Sequence, residues 1–448
     1  MALFGTDGIR ARAGEGPLTP EGVQRIGLAI GRLLRTQAGL FATVADPELP
    51  RGAVLIGRDT RESGEGIEAN LTHGIMTFGN EVWTAGVLPT PGIAYLTRSW
   101  SCSLGIVVSA SHNPASDNGI KLLSPEGFKA PDAAEEAVEK LAADPNLQEP
   151  GQPMTSFYRR VANRSDEYSW FLRDQYGGSL AGMTIVVDCA HGAASHIAPA
   201  VLQSLGAKVV AVNASPDGTN INENAAALKP ELLAERVRRE KADLGAAYDG
   251  DADRCILVDE TGAVRDGDHI LAVCATALPP GSTVVSTVMA NWGLEVWLRE
   301  RKITLARTQV GDRHVVEVMR RCGATLGGEQ SGHVVFLDAS PSGDGMLTTL
   351  RVLRLMKERG RTLSQLCEDF RKSPQVLINV PVAVKQPLDS VAPLQQAIRA
   401  AENGLTGRVL VRYSGTEPLC RVMVEGDDAA QVGRVAQSLA DAVKKHLG

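Results

Sequence analysis

The chain has 448 residues, too many for one ordinary hydrophobic core, so about three or four domains are expected. Hydrophobic residues make up 44% and charged residues 22%, both ordinary for a globular protein, and no apolar run is long enough to span a membrane. A net charge of −6 argues against a general nucleic-acid binder, and seven cysteines without a Cys-x-x-Cys pair read as reduced thiols, not as a disulfide framework or a zinc site.

The N-terminal residues show no charged stretch followed by an apolar one, so no secretory signal is read and a cytoplasmic protein is expected. Phe4-Gly5-Thr6-Asp7-Gly8-Ile9-Arg10 combines tight turns with an acid and a base, and is taken as a loop facing a phosphate through Arg10. Thr19 and Pro20 cap a helical pattern that runs to about Gln37. Residues 53–57 form a strand that runs into Arg58-Asp59-Thr60-Arg61-Glu62-Ser63-Gly64, followed by a helix to about Phe78. A further strand spans 82–85, and a turn and helix begin at Leu88-Pro89-Thr90-Pro91. Strands alternating with helices indicate an α/β sheet.

The same lead-in, β-branched strand, loop, helix and second strand recur near residues 49, 180 and 278, with the second strands near Glu81, Ala207 and Lys302. The expected architecture is therefore three similar mixed-sheet α/β domains followed by a smaller two-layer α+β domain. Their bounds are placed at 1–155, 156–253, 254–373 and 374–448, with ligand groups gathering at the carboxyl ends of the strands.

Four stretches carry chemistry. In residues 105–121 a β-branched strand delivers Ser111-His112-Asn113-Pro114 to a polar loop. Asn118-Gly119 then reads as a turn, and the strand after it brings Lys121 back towards Ser111. This is no lipase-type nucleophile elbow, because Gly-x-Ser-x-Gly is absent. Asp249-Gly250-Asp251-Ala252-Asp253-Arg254 alternates three carboxylates before an apolar strand. Mutual repulsion of roughly 4 kcal/mol per close pair favours a cation there, and hard oxygen ligands suit magnesium or calcium. An EF-hand is excluded because Arg254 stands where its sixth-position glycine must be.

Gly327-Gly328-Glu329-Gln330-Ser331-Gly332-His333 lets the backbone approach a ligand, with Glu329 and Ser331 able to accept from sugar hydroxyls; for His333 a structural role weighs as much as a chemical one. Residues 309–314 look like a second substrate-facing loop. Arg412-Tyr413-Ser414-Gly415-Thr416-Glu417-Pro418, with Arg421, reads as a phosphate cradle without a Walker ending.

Together these four motifs, in this order and over essentially the whole chain, resemble the α-D-phosphohexomutase superfamily. The resemblance implies four domains in a heart-shaped arrangement around a central cleft. It makes Ser111 a phosphoserine and, with Asp249, Asp251 and Asp253, a magnesium ligand. Arg10, His112, Lys121 and Arg254 fall on positions for phosphoryl transfer and proton movement, Lys121 being favoured as proton acceptor. Glu329, Ser331 and His333 fall on sugar contacts, and Arg412, Ser414, Gly415, Thr416 and Arg421 on phosphate binding.

The resemblance further implies a small hexosamine phosphate as partner, glucose or glucosamine 1,6-bisphosphate as activator or intermediate, and a homodimer. The residues from Phe4 to Arg10, and Gln330, look like the glucosamine branch, whose product feeds cell-wall precursors, while Ala11, His314 and Tyr413 depart from the usual pattern. The glucose and mannose branches, a magnesium-dependent sugar phosphatase and a non-catalytic sugar-phosphate sensor are the competing readings.

Overall fold

The computed structural model describes residues 3–5, 7–43, 52–152, 154–161, 165–414 and 418–448. The first sheet contains β1 (Ile9–Arg12), β2 (Val54–Arg58), β3 (Val82–Val87), β4 (Leu104–Val108), β5 (Asp117–Leu123) and β6 (Tyr158–Arg160), in the order β1-β5-β4-β2-β3-β6. β2, β3, β4 and β6 are parallel; β5 runs antiparallel to both β4 and β1. β4 is buried on both faces, so its sequence is a continuous apolar run instead of an alternation. Helix Pro20–Thr36, capped by the Thr19 hydroxyl accepting from the Gly22 amide at 3.1 Å, packs Val23, Ile26 and Ile30 into the same core as Ile56, Ile106 and Ile120.

The second sheet holds β7 (Thr184–Asp188), β8 (Lys208–Val212), β9 (Leu244–Tyr248), β10 (Cys255–Asp259) and β11 (Val264–Arg265), ordered β11-β10-β9-β7-β8. The third holds β12 (Thr283–Thr287), β13 (Thr304–Thr308), β14 (Leu326–Gly328) and β15 (Val334–Phe336), ordered β13-β12-β14-β15. The last is a three-stranded antiparallel sheet, β16 (Gln375–Pro381), β17 (Gly407–Tyr413) and β18 (Leu419–Gly426), ordered β16-β18-β17, with helices Ala392–Gly404 and Ala429–Leu447 against it. Three mixed α/β sheets and a smaller α+β tail match the expected class.

The chain divides into two compact units, Met1–Val288 with Ala306–Cys367, and Met289–Leu305 with Glu368–Gly448. No helix among the described residues is long and apolar enough to cross a membrane.

Two expectations change. Asn118-Gly119 is not a turn: both residues lie inside β5, paired with Ala11 and Arg10 of β1. The glycine is there for space, since a Cβ would sit 2.5 Å from the Ile9 carbonyl oxygen and 2.6 Å from that of Ser109. The chain turns earlier, where the Asn113 amide donates to the Ala110 carbonyl and the Asp117 amide to the Pro114 carbonyl. Secondly, β10 continues the second sheet by pairing antiparallel with β9, and β11 extends it to Arg265. We therefore propose a boundary after Arg265, not at 253, because the metal-loop motif is the connection inside a hairpin and does not end a domain.

Candidate active site

Three of the four motif loops meet within the larger unit. β4 ends at Val108, and Ser111, just beyond it, is almost fully buried with a left-handed backbone (φ 51°). Its hydroxyl donates to Asp249 Oδ2 at 2.7 Å, and its Oγ lies 3.2 Å from His112 Nδ1. Asp249, Asp251 and Asp253 sit on the turn between β9 and β10. Each offers a carboxylate oxygen, and these oxygens all lie within 4.8 Å of one another. All three side chains are buried.

The electrostatics of this cluster call for a cation. At 4.8 Å each pair of charges repels by roughly 3 kcal/mol at an effective dielectric of 20. Burial, reinforced by the neighbouring Asp253 and Asp251, drives the Asp249 carboxyl far above its usual pKa. Asp251 goes the other way: burial opposes ionisation, but the Lys121 ammonium at 2.7 Å and the Thr90 hydroxyl at 2.6 Å hold it ionised. Its Oδ1 is buried and has no hydrogen-bond donor, which fits an inner-sphere cation ligand. Hard carboxylate oxygens with a serine hydroxyl beside them fit magnesium.

Lys121, on β5, also stands 3.7 Å from Asp253, and although burial works against its ammonium, Asp251 and Asp253 raise its pKa. His112 is shifted down by burial and by Arg254 and Arg10, which leaves it neutral at pH 7. Arg10, on β1, donates to Asn113 Oδ1 at 3.1 Å, and its buried Nε makes no hydrogen bond. The Arg254 guanidinium is held charged against burial by Asp253, Asp249 and Glu329.

The glycine-rich loop between β14 and β15 lies directly against the aspartate loop, with an antiparallel bridge from Arg254 to His333 and the Cys255 amide donating to the Gly332 carbonyl at 3.0 Å. Glu329 Oε1 accepts from the Gly311 amide at 3.1 Å, tying in the 309–314 loop, and the exposed Ser331 hydroxyl lies 3.4 Å from Glu329 Oε2. His333 packs its ring against Gly343, where a Cβ would come within 2.3 Å of Nε2. Gln330 turns away to donate to Asp268. Together these loops line a cavity of about 630 Å³ that takes in Arg10, Lys121, Asp253, Arg254, Glu329 and His333.

The fourth motif belongs to the smaller unit. Arg412 of β17 and Arg421 of β18 are directly opposed across one hairpin, and their proximity, after burial, lowers the Arg412 pKa. Arg421 Nη2 lies 3.4 Å from Ser414 Oγ, while Lys385 Nζ donates to the Ser414 carbonyl at 2.6 Å. Like charges directly opposed weaken a sheet, so this arrangement suits an anion bound between them. Gly415 and Thr416 lie outside the described residues.

The four domain types described as phosphoglucomutase/phosphomannomutase α/β/α domains I, II and III and C-terminal domain match residues 1–149, 172–262, 266–373 and 377–442. The chain belongs to the phosphoglucomutase/phosphomannomutase family. Among curated members of this phosphohexomutase family, it is 45% identical over 456 residues to a phosphoglucosamine mutase of Nitratidesulfovibrio vulgaris (strain DP4), covering 99% of each chain. Its fold resembles that of a phosphoglucomutase/phosphomannomutase family protein from Burkholderia thailandensis (TM-score 0.83, 24% identity, 99% and 97% covered). It also resembles Aspergillus fumigatus N-acetylphosphoglucosamine mutase, solved with GlcNAc-6P and magnesium (TM-score 0.67, 19% identity, 100% and 96% covered).

Sequence reading missed two groups that this phosphohexomutase places at the cluster. Thr90 grips Asp251 twice, through its hydroxyl and by its amide donating to the Asp251 carbonyl at 3.0 Å. Its signal was its place just beyond the carboxyl end of β3, where α/β sheets gather ligands. Asn113, inside the Ser-His-Asn-Pro motif, is the acceptor that orients Arg10.

Proposed function

We propose that this chain interconverts glucosamine 6-phosphate and glucosamine 1-phosphate, moving a phosphoryl group by way of Ser111. It is an isomerase by family. The observation that carries the reading is Ser111 Oγ, 2.7 Å from a buried carboxylate of Asp249, in an acidic cluster whose Asp253 lines a cavity with Arg10, Lys121 and Glu329. The amino-sugar substrate rests on the full-length relative at 45% identity.

Asp249, Asp251, Asp253 and the Ser111 oxygen would hold magnesium, as the aspartate geometry and the unmatched Asp251 Oδ1 support. Bound there, it supplies positive charge to offset that of the transferring phosphoryl group. Ser111 carries the phosphoryl group. Its Oγ–P bond breaks as the free hydroxyl oxygen of the sugar phosphate bonds to phosphorus, leaving the serine oxygen and a sugar 1,6-bisphosphate. The bisphosphate reorients and returns its other phosphoryl group to Ser111, so the enzyme ends as it began.

Arg10 and Arg254 hold the phosphoryl oxygens, and Glu329 and Ser331 orient the sugar hydroxyls. Of the two candidates for accepting the hydroxyl proton, the geometry supports His112 over Lys121. His112 touches Ser111 Oγ, while Lys121 contacts Asp251 and Asp253, the carboxylates that keep its amine protonated. Arg412, Ser414, Gly415, Thr416 and Arg421 bind the phosphate that is not transferring. We place the enzyme in the cytoplasm, where its seven free cysteines stay reduced, and expect a homodimer.

Phosphorus NMR tests this, with magnesium, catalytic glucose 1,6-bisphosphate, and glucosamine 6-phosphate or mannose 6-phosphate in separate tubes. Glucosamine 1-phosphate should form with the wild type and not with Ser111→Ala. Turnover of mannose 6-phosphate alone would overturn the substrate assignment, release of inorganic phosphate would indicate a phosphatase, and full activity of Ser111→Ala would remove the serine from the mechanism.

A further inference from the structure

Resting on the reading of Ser111 as nucleophile, we infer that Arg61 and Asn222 are positioning residues, clamping the Ser111 loop from two different domains so that Oγ faces the carboxylate cluster.

Ser111 carries a Cβ yet sits at φ 51°, a backbone conformation that needs outside support to persist. Arg61, in the loop after β2, is completely buried, and all five of its side-chain N–H groups are used. Nε donates to Asp59 Oδ2 at 2.9 Å. Nη1 donates to the Pro114 carbonyl and, at 2.9 Å, to that of Asp117. Nη2 donates to the carbonyls of Ser111 at 3.0 Å and Asn113 at 2.9 Å. One planar fork thus ties together four carbonyls of a single turn, a task for which a lysine ammonium lacks both the number and the geometry of donors.

Asp59, the partner of Arg61, secures the other side of the same residue. Ser109 Oγ donates to Asp59 Oδ2 at 2.6 Å and accepts from the Ser111 amide at 2.9 Å. From the second domain, Asn222 Nδ2 donates to the Ser111 carbonyl at 2.8 Å and the Asn113 carbonyl at 2.9 Å, so both of its amide hydrogens fall on this turn. Its Oδ1 is buried without a donor, which marks the two carbonyls as what the side chain is oriented for. Gly250 closes the third side: a Cβ there would sit 2.5 Å from the Ser111 carbonyl oxygen. If the clamp is loosened, Ser111 can relax towards an ordinary φ, which turns its side chain away from Asp249.

The test uses Asn222→Gly, Arg61→Lys and Ser111→Ala in the full-length protein, with steady-state kinetics on glucosamine 6-phosphate, thermal melts and intact-mass measurement of the phosphoenzyme. Asn222 has φ 64°, so glycine keeps its backbone conformation and removes only the amide. Asn222→Gly should melt close to the wild type and lose about 10²-fold in kcat, the scale of an ångström's misplacement, with KM little changed. Arg61→Lys should lose more kcat, again with KM held. Should Arg61→Lys fail to fold, Asn222→Gly alone decides. Wild-type kcat in folded Asn222→Gly, or a loss confined to KM, would overturn the clamp while Ser111→Ala stays inactive; an active Ser111→Ala would instead bring down the nucleophile reading on which the clamp rests.

Discussion

The Ser111 centre and the fourth-domain arginine hairpin are assembled by different means. At the first, the groups that meet are far apart in sequence: Ser111 reaches Asp249 across 138 positions, Lys121 reaches Asp251 across 130, and Thr90 reaches Asp251 across 161. The three aspartates there are buried, and one misplaced backbone would undo the alignment. At the second, Arg412 and Arg421 oppose each other through the register of a single hairpin. On the proposed function, the first region places reacting atoms and the second collects negative charge. Transfer chemistry should therefore be sensitive to geometry, and anchoring mainly to charge.

The contrast is broken most severely by Asp251→Asn, which removes the charge of a proposed cation ligand and the one that Lys121 pairs with. We expect kcat to fall by more than about 10³-fold and the magnesium concentration for half-maximal rate to rise, as measured by initial rates in a magnesium titration. A kcat near wild type would separate the acidic cluster from catalysis.

Gly119→Ala, in the strand that carries Lys121, presses a methyl group on the carbonyl oxygens of Ile9 and Ser109. About 1–3 kcal/mol of stability should be lost in a denaturant titration, and an unchanged midpoint would mean that β5 yields more easily than its contacts suggest.

Arg421→Ala should sharpen the comparison from the other side. Loss of a charge-assisted contact predicts a KM increase of about 10- to 100-fold with kcat largely retained, and a fall in kcat alone would assign this hairpin to the chemistry.

The smallest effect concerns pH. Asp344 caps helix Gly345–Arg359 by accepting from the Leu347 amide at 2.9 Å, and accepts from the Tyr168 hydroxyl at 2.7 Å; burial, only partly offset by these bonds, raises its pKa to about 6. The folded state then binds this proton more tightly than the unfolded chain, so the stabilisation is full below pH 3.8 and is lost as pH rises through 6. Melting curves of Asp344→Asn, which keeps a capping oxygen, should improve relative to the wild type from pH 5 to 7. A flat difference would show that Asp344 is not protonated in this range.

The local elements were legible because each rests on neighbouring residues. Thr19 and Pro20 mark a helix start wherever they occur in such a pattern, and β4 announces itself as a buried strand through an unbroken apolar run. The alternating aspartates were legible as a cluster of close carboxylates because their spacing alone brings them together, and their oxygens do lie within 4.8 Å of one another. Asn118-Gly119 misled because the same dipeptide serves a turn when φ is positive and a tight strand crossing when space is short, and only the neighbouring β1 and Ser109 decide which. The place where β10 belongs was equally invisible, since an antiparallel partner for an apolar strand is chosen by the sheet it meets.

What the sequence determined by itself was the set of groups: a hydroxyl, three close carboxylates, a carboxylate in a glycine-rich loop and an arginine-bearing loop, together with the helices and strands that present them. Only the tertiary structure decided that Arg61 and Asn222 converge on the carbonyl of Ser111, that Lys121 is spoken for by Asp251, and that His333 packs against Gly343. The reason is physical. Local patterns set which conformations a segment prefers, but the partner of a buried donor or charge is whichever group the packing of distant segments brings within 3 Å or so, and no local pattern encodes that meeting.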